Sequence, residues 1–137
     1  MNDSKDKLNS LVCFLVGLED EEEFREITFI DNVDGKYFVS NKGRVLSLCR
    51  NVPKILKPFV CGNQGNNKGY QYITIGDRDY KISILVAKAF IPNPDNKPIV
   101  DHINEDKHCN IVSNLQWLTQ SENLHKHWNK HKLEYEE

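Results

Sequence analysis

The sequence predicts an α+β fold, in which a small antiparallel sheet precedes a strand–loop–strand–helix unit and follows a helical segment. Three observations support this prediction. Short segments rich in β-branched and aromatic residues alternate with turn residues between positions 24 and 75. Apolar residues recur at helical spacing between positions 8 and 18. Thr119 and Glu122 form a capping box, in which hydroxyl and carboxylate satisfy the free amides of a helix start.

The first 22 residues are interpreted as a helical extension. Its apolar stripe consists of Leu8, Leu11, Val12, Leu15 and Leu18. We expect this stripe to pack on the domain's own sheet, with a dimer contact as the alternative. An exported protein is not expected, because acidic residues stand where a signal peptide needs a basic region and a cleavage site. No apolar run approaches the roughly 20 residues that span a bilayer, so we expect a cytoplasmic protein without membrane contact.

Charge is unevenly distributed along the 137 residues, although the net charge is only -2. Residues 1–36 hold ten acidic and four basic residues, whereas residues 37–137 hold ten acidic and fourteen basic residues. The second part is therefore mildly basic, which suits either a nucleic-acid partner or an ordinary solvated surface. The four cysteines show no C-x-x-C spacing, which favours reduced thiols over a zinc knuckle or a disulfide framework.

Turn chemistry separates the predicted strands of the sheet, at Asp34-Gly35 and at Asn41 to Gly43. The predicted strands are Phe24–Ile30, Tyr37–Val39, Val45–Leu48 and Tyr70–Ile75, with a further candidate around Ile55 and Leu56. A glycine-rich loop is predicted at Gly62–Gly69 and a short buried helix at Ser83–Phe90. The prolines that follow this helix end it.

A second group of polar residues lies between positions 100 and 127. Asp101 and His102 end a predicted strand, and Asn114 opens the next one after a polar loop. Asn123 is the fourth residue of the helix that the capping box begins. A strand pair crossed by a helix would gather these four side chains.

These residues resemble the HNH endonucleases, in the homing and phage branch whose third motif residue is Asn. The resemblance rests on D-H at 101–102, N-L-Q-W at 114–117 and T-Q-S-E-N at 119–123, and it extends upstream through Y-F-V-S-N-K-G-R-V, I-L-K-P and A-F-I-P-N-P. It implies a ββα-metal nuclease core at 91–137, behind a β-rich, DNA-associated module at 23–90. Residues 1–22 lie outside it.

The resemblance implies a metal-dependent DNA endonuclease. Asp101 and Asn123 carry hard oxygen ligands that suit one Mg²⁺ or Mn²⁺ ion. His102 is expected to act as general base, and Asn114 to position that imidazole or the loop between them. One ion and one base form a single cutting site, so we expect nicking of one strand of duplex DNA. His127 shares a helix face with Asn123 and is a candidate for metal or phosphate contact.

Four basic residues are candidates for DNA contact in the β-rich module. They are Lys42, Arg44, Lys54 and Lys57. We expect a monomer that acts on double-stranded DNA, in the host cytoplasm if a phage or virus encodes it. Two alternatives remain open: a non-cleaving DNA-binding protein on the same fold, and a structural zinc module that uses Cys109 with nearby histidines.

Overall fold

The computed structural model describes residues 21–49, 52–60 and 69–135, with side chains described as far as Trp128. The predicted N-terminal helix and nearly all of the predicted glycine-rich loop lie outside the described residues. Within them, the strands are β1 Phe24–Glu26, β2 Tyr37–Ser40, β3 Val45–Ser47, β4 Lys54–Ile55, β5 Phe59–Val60, β6 Gln71–Ile75, β7 Arg78–Lys81, β8 Ile99–His102 and β9 Leu115–Leu118. The helices are α1 Ile82–Phe90 and α2 Gln120–Tyr135, and a 3-10 turn spans Val112–Asn114.

The strands form three antiparallel sheets in the described residues, with orders β1-β2-β3-β4, β5-β6-β7 and β8-β9. This confirms the predicted α+β class, although the single sheet expected before α1 is two sheets. Strand β7 was not predicted because its sequence, Arg-Asp-Tyr-Lys, is polar and lacks apolar alternation. Gly76, at a φ of 67°, makes the turn that pairs β7 with β6.

Helix α1 is the centre of the core, since it packs against strands of all three sheets. Its apolar residues Ile82, Leu85 and Val86 are each at most 2% exposed. Burial of such a side chain contributes roughly 1.5–3 kcal/mol. The helix ends at Phe90, and the next residue, Ile91, is extended (φ -110°, ψ 114°) as a residue before proline should be. The module and the β8-β9 hairpin thus share one core.

The core cluster comprises Ile27, Val33, Val39, Val45, Ile73, Ile75, Ile82, Leu85, Val86 and Leu115. Leu115 belongs to β9, so the strand opposite His102 is anchored directly in this core. None of the described helices has the length and apolar character needed to cross a membrane.

Candidate active site

The β8-β9 hairpin, the 3-10 turn before β9 and helix α2 carry the predicted residues Asp101, His102, Asn114 and Asn123. Asp101 pairs with Gln116 and His102 with Leu115 across the hairpin. As neighbours in one strand, Asp101 and His102 leave opposite faces of it. Strand β8 ends at His102, where the Ile103 amide bonds to the Asn114 carbonyl at 2.8 Å. The carboxylate therefore faces α2, and the imidazole turns towards the loop and the β-rich module.

The Asp101 carboxylate is half-buried and held by two donors. Its Oδ2 accepts hydrogen bonds from Gln116 Nε2 at 2.8 Å and from Lys126 Nζ at 2.6 Å. The same ammonium donates to the carbonyl oxygens of His102 at 3.1 Å and Ile103 at 3.3 Å. Three oxygen atoms thus surround one positive charge, which shows that this end of β8 favours a cation.

The start of α2 positions Asn123. The capping box is confirmed, because Thr119 N donates to Glu122 Oε1 and Glu122 N donates to Thr119 Oγ1, both at 3.1 Å. The Lys97 ammonium, 3.0 Å from Glu122, and the Thr119 bonds lower the pKa of the Glu122 carboxyl. Asn123 lies three residues before Lys126 and so on the same helix face, which points towards Asp101. Within the described residues, the Asn123 carboxamide makes no recorded side-chain hydrogen bond.

The donor set of Asp101 and Asn123 fits a hard divalent cation. A carboxylate and an amide oxygen suit Mg²⁺ or Mn²⁺, and Mg²⁺ keeps several waters when few protein ligands are present. The Lys126 ammonium occupies the oxygen-lined position beside Asp101 Oδ2, so an ion would bind at the other carboxylate oxygen. No cluster of three or more His, Cys, Asp or Glu side chains with metal-site geometry occurs in the described part of the chain.

His102 is buried, with 4% of its surface exposed, and its ring is fixed by one side chain. Its Nε2 lies 2.8 Å from Oδ1 of Asn110. Because a carbonyl oxygen only accepts, Nε2 donates its N–H to Asn110, and in the neutral tautomer with this proton Nδ1 carries the lone pair. The Tyr70 ring lies against the imidazole, with 5.7 Å between the ring centroids. Asn110 and Tyr70 therefore fix the orientation of the imidazole.

Asn114 supports the loop rather than the ring. Its Oδ1 accepts from Asn104 N at 3.0 Å, and its Nδ2 donates to Asn104 Oδ1 and Cys109 O, both at 2.9 Å. These bonds close the loop between His102 and β9. Of the two roles expected for Asn114, these contacts match the one on the loop, and the hydrogen bond to the His102 ring comes from Asn110.

Arg44 does not have the position expected of a DNA contact. Its guanidinium forms a two-pronged ion pair with Glu22, with Nε 2.9 Å from Oε2 and NH2 on Oε1. The Glu22 side chain is fully buried, so Arg44 neutralises an internal carboxylate. Lys42 is half-buried, and Lys54 and Lys57 are exposed. Sequence spacing did not predict this ion pair, because Glu22 and Arg44 are 22 residues apart.

The structure adds a cationic cluster that the sequence did not reveal, formed by Tyr70, Lys81 and Lys107. The ammonium groups of Lys81 and Lys107 lie 4.2 Å and 4.6 Å from the Tyr70 ring centroid. The same ring contacts His102, so two positive charges lie near the candidate base. The cluster's members come from three separate segments, and no sequence spacing predicts their meeting.

His127 is exposed and lies one residue beyond the position that faces Asp101, which Lys126 occupies. Its predicted contact with metal or phosphate stays a prediction, and the side chain at the position that faces Asp101 is itself a cation. An ammonium cannot ligate a metal ion.

Comparisons with known proteins agree with this geometry. Residues 80–125 match the family model described as HNH endonuclease, and residues 22–76 match the NUMOD4 motif. Two relatives from Acanthamoeba polyphaga mimivirus are each called an uncharacterized HNH endonuclease. One, L247, is 42% identical over 96 residues, which cover 65% of this chain and 22% of the relative. The other, L245, is 34% identical over 98 residues, which cover 69% and 28%.

The chain thus spans about a quarter of the length of these relatives. A solved structure, described as DNA binding and cleavage by the HNH homing endonuclease I-HmuI, matches with a TM-score of 0.64 and 26% identity. The match covers 79% of this chain and 59% of that chain. The chain therefore carries an HNH endonuclease domain at residues 80–125, which follows a segment that carries the NUMOD4 motif.

Proposed function

We propose that the protein is a metal-dependent DNA endonuclease that nicks one strand of duplex DNA. The observation that carries the proposal is the end of β8, where Asp101 faces an oxygen-lined cation position and His102 presents a hydrogen-bonded imidazole. The family match and the printed description of the I-HmuI structure, which names DNA binding and cleavage, support DNA as the substrate.

Asp101 and Asn123 would hold one Mg²⁺ or Mn²⁺ ion. When bound, the ion supplies positive charge to the phosphoryl oxygen and to the departing sugar oxygen. Asp101 Oδ2 is taken by Gln116 and Lys126, whereas no hydrogen bond to Oδ1 is recorded within the described residues. Oδ1 is therefore the oxygen that this chain offers to the ion, and the two donors on Oδ2 hold the carboxylate in place.

His102 acts as the general base. Its Nδ1 takes a proton from a water molecule while the water oxygen bonds to phosphorus and the bond from phosphorus to the sugar oxygen breaks. The sugar oxygen is then protonated from solvent. Only 4% of the surface of His102 is exposed, so little bulk solvent reaches this residue. Asn114 maintains the loop that forms one side of the site.

The basic side chains near and beyond the site bind the phosphate backbone. The Tyr70 ring contacts the imidazole and also the ammonium groups of Lys81 and Lys107. Lys54 and Lys57 are exposed at the edge of the four-stranded sheet. Phosphate contacts of this kind give affinity that falls with salt and does not depend on base sequence. The arrangement suits a duplex laid across both parts of the chain.

Nicking of a supercoiled plasmid tests the proposal. We expect cleavage with Mg²⁺ or Mn²⁺, none with EDTA, and loss in Asp101→Ala and in Asn123→Ala, both of which should also weaken Mn²⁺ binding in calorimetry. Asp95→Ala, which removes an exposed loop carboxylate, is the matched control and should cut normally. Full activity of either site variant at ordinary metal concentration would refute the metal assignment.

His102→Ala tests the base. We expect it to keep the fold, Mn²⁺ binding and DNA affinity, and to cut about 100-fold to 10,000-fold more slowly in a single turnover. A wild-type protein that binds duplex DNA and leaves the plasmid supercoiled with both ions would instead establish a non-cleaving DNA-binding protein.

A further inference from the structure

We propose that Asn110 is the positioning residue for His102, and that the β-rich module preceding α1 holds Asn110 in place. The inference rests on the proposed role of His102 as general base. It assigns to the module a part in the geometry of catalysis, in addition to any contact with DNA.

The contact between Asn110 and His102 is buried on both sides. Each residue is 4% exposed, and their bond of 2.8 Å is the one hydrogen bond recorded for the imidazole within the described residues. A buried N–H without an acceptor costs about 1–3 kcal/mol. The ring therefore keeps the orientation in which Nε2 donates to Asn110, and Nδ1 remains the acceptor for the water proton.

Strand β6 fixes the amide of Asn110. Nδ2 of Asn110 donates to Oε1 of Gln71 at 3.0 Å, across 39 residues of sequence. With its nitrogen engaged by Gln71, Asn110 directs its oxygen to the imidazole. The chain Gln71, Asn110, His102 thus runs from the module to the candidate base.

The turn between β2 and β3 fixes the backbone of the same loop. Val112 N donates to Asn41 O at 3.0 Å. A Cβ placed on Gly43 would lie 2.9 Å from Asn110 Cβ and 3.0 Å from its carbonyl oxygen. This close approach requires a glycine, and Gly43 also has a φ of 87°, which L residues rarely adopt. Two separate parts of the module therefore locate Asn110.

Two substitutions of Asn110 separate positioning from packing. Asn110→Leu keeps the approximate size and removes the acceptor, whereas Asn110→Asp keeps an acceptor, and the Gln71 amide can rotate to donate to it. We expect Asn110→Leu to cut about 10-fold to 100-fold more slowly at saturating DNA, with DNA affinity changed less than about 2-fold, a loss typical of groups that orient histidines. Asn110→Asp should recover most of the rate.

The spectroscopic readout is the tautomer of His102, from ¹⁵N chemical shifts of its imidazole. We expect the Nε2–H form in the wild type and in Asn110→Asp, and a mixture of forms in Asn110→Leu. Asn93→Leu is the control, since Asn93 also makes two hydrogen bonds within a loop, to Lys97, without contacting His102. It should change stability only. If Asn110→Leu does not fold, Gln71→Leu, which leaves Asn110 in place without its partner, is tested by the same two measurements.

A second matched pair tests the module's contribution. Gly43 and Gly76 have φ values of 87° and 67°, so alanine strains the backbone at both, but a Cβ at Gly76 meets no atom within 4 Å. Gly43→Ala should therefore slow single-turnover cleavage more than Gly76→Ala and change the His102 tautomer. Equal effects at the two glycines would contradict the role of the β2–β3 turn.

Failure of the base assignment and failure of this inference give different results. If His102→Ala cuts DNA at the wild-type rate, the assignment of His102 as general base is refuted. Slow cutting by His102→Ala, together with a wild-type rate and an unchanged tautomer in Asn110→Leu, would leave the base in place and refute the positioning role of Asn110.

Discussion

Arg44→Ala distinguishes an internal ion pair from a DNA contact. The guanidinium meets the Glu22 carboxylate through two nitrogens and lies 5.9 Å from the Phe24 ring centroid. The Glu22 side chain is fully buried, whereas 25% of the Arg44 side chain is exposed. The substitution therefore removes the charged partner of a carboxylate that water does not reach.

The magnitude follows from that burial. Breaking a buried ion pair by removing one partner costs about 3–5 kcal/mol. The partial exposure of Arg44 places the expected loss near the lower end, at about 3 kcal/mol. For a domain of this size, such a loss lowers the melting temperature by roughly 10 °C. Glu22→Gln combined with Arg44→Ala removes the isolated charge and should recover part of the loss.

The assay is urea unfolding in parallel with DNA binding over a range of salt concentrations. Lys42→Ala is the control, because Lys42 lies on the same turn and has no recorded ion pair within the described residues. We expect Arg44→Ala to lower the unfolding midpoint and to leave the salt dependence of binding unchanged. An unchanged midpoint with a binding slope reduced by about 0.9 would refute the internal role and return Arg44 to the DNA surface.

Three further predictions concern single groups. Lys81→Ala with Lys107→Ala should weaken duplex binding and reduce its salt slope by up to about 1.8, measured by fluorescence anisotropy, whereas an unchanged slope would exclude phosphate contact. Cys49, whose thiol pKa is lowered mainly by a hydrogen bond with Tyr37, should be alkylated at lower pH than an ordinary thiol, and Tyr37→Phe should abolish that advantage in mass spectrometry. The pKa of the Glu122 carboxyl is lower in the folded protein, so its carboxylate stabilises the fold at pH values above the ordinary pKa of 4.5, and this stabilisation is lost as pH falls through the lowered pKa. Glu122→Gln should therefore reduce thermal stability at neutral pH and not in strong acid.

Local chemistry accounts for the features that the sequence predicted correctly. The capping box requires only residues three apart, and it placed the start of α2 and hence Asn123 at its fourth position. The start of β2 and the ends of β8 and β9 followed from strand residues bounded by turn residues. The polar strand β7 offered no such pattern, and its formation depends on pairing with β6. Tertiary pairing overrides local preference there.

The candidate site divides in the same way. Asp101, His102 and Asn123 were predicted from motif spacing, and the structure brings Asp101 beside the helix face that carries Asn123. The role of Asn110 was not predictable, because it lies in a loop without periodicity and its partner Gln71 is 39 residues away. Sequence spacing reports which residues share an element, whereas the orientation of a buried imidazole depends on what the rest of the fold places next to it.

The residue of α2 that faces Asp101 was also not predictable from sequence spacing alone. The four-residue spacing predicted that Asn123 and His127 share a helix face. Residues three apart on a helix are equally neighbours, and the residue three after Asn123 is Lys126. The residue that faces Asp101 is decided by the crossing of α2 over β8, where one carboxylate and two carbonyl oxygens accumulate negative potential. An ammonium satisfies that potential at short range. The proposed divalent ion would therefore share Asp101 with a positive side chain, whose like charge opposes the binding of the ion.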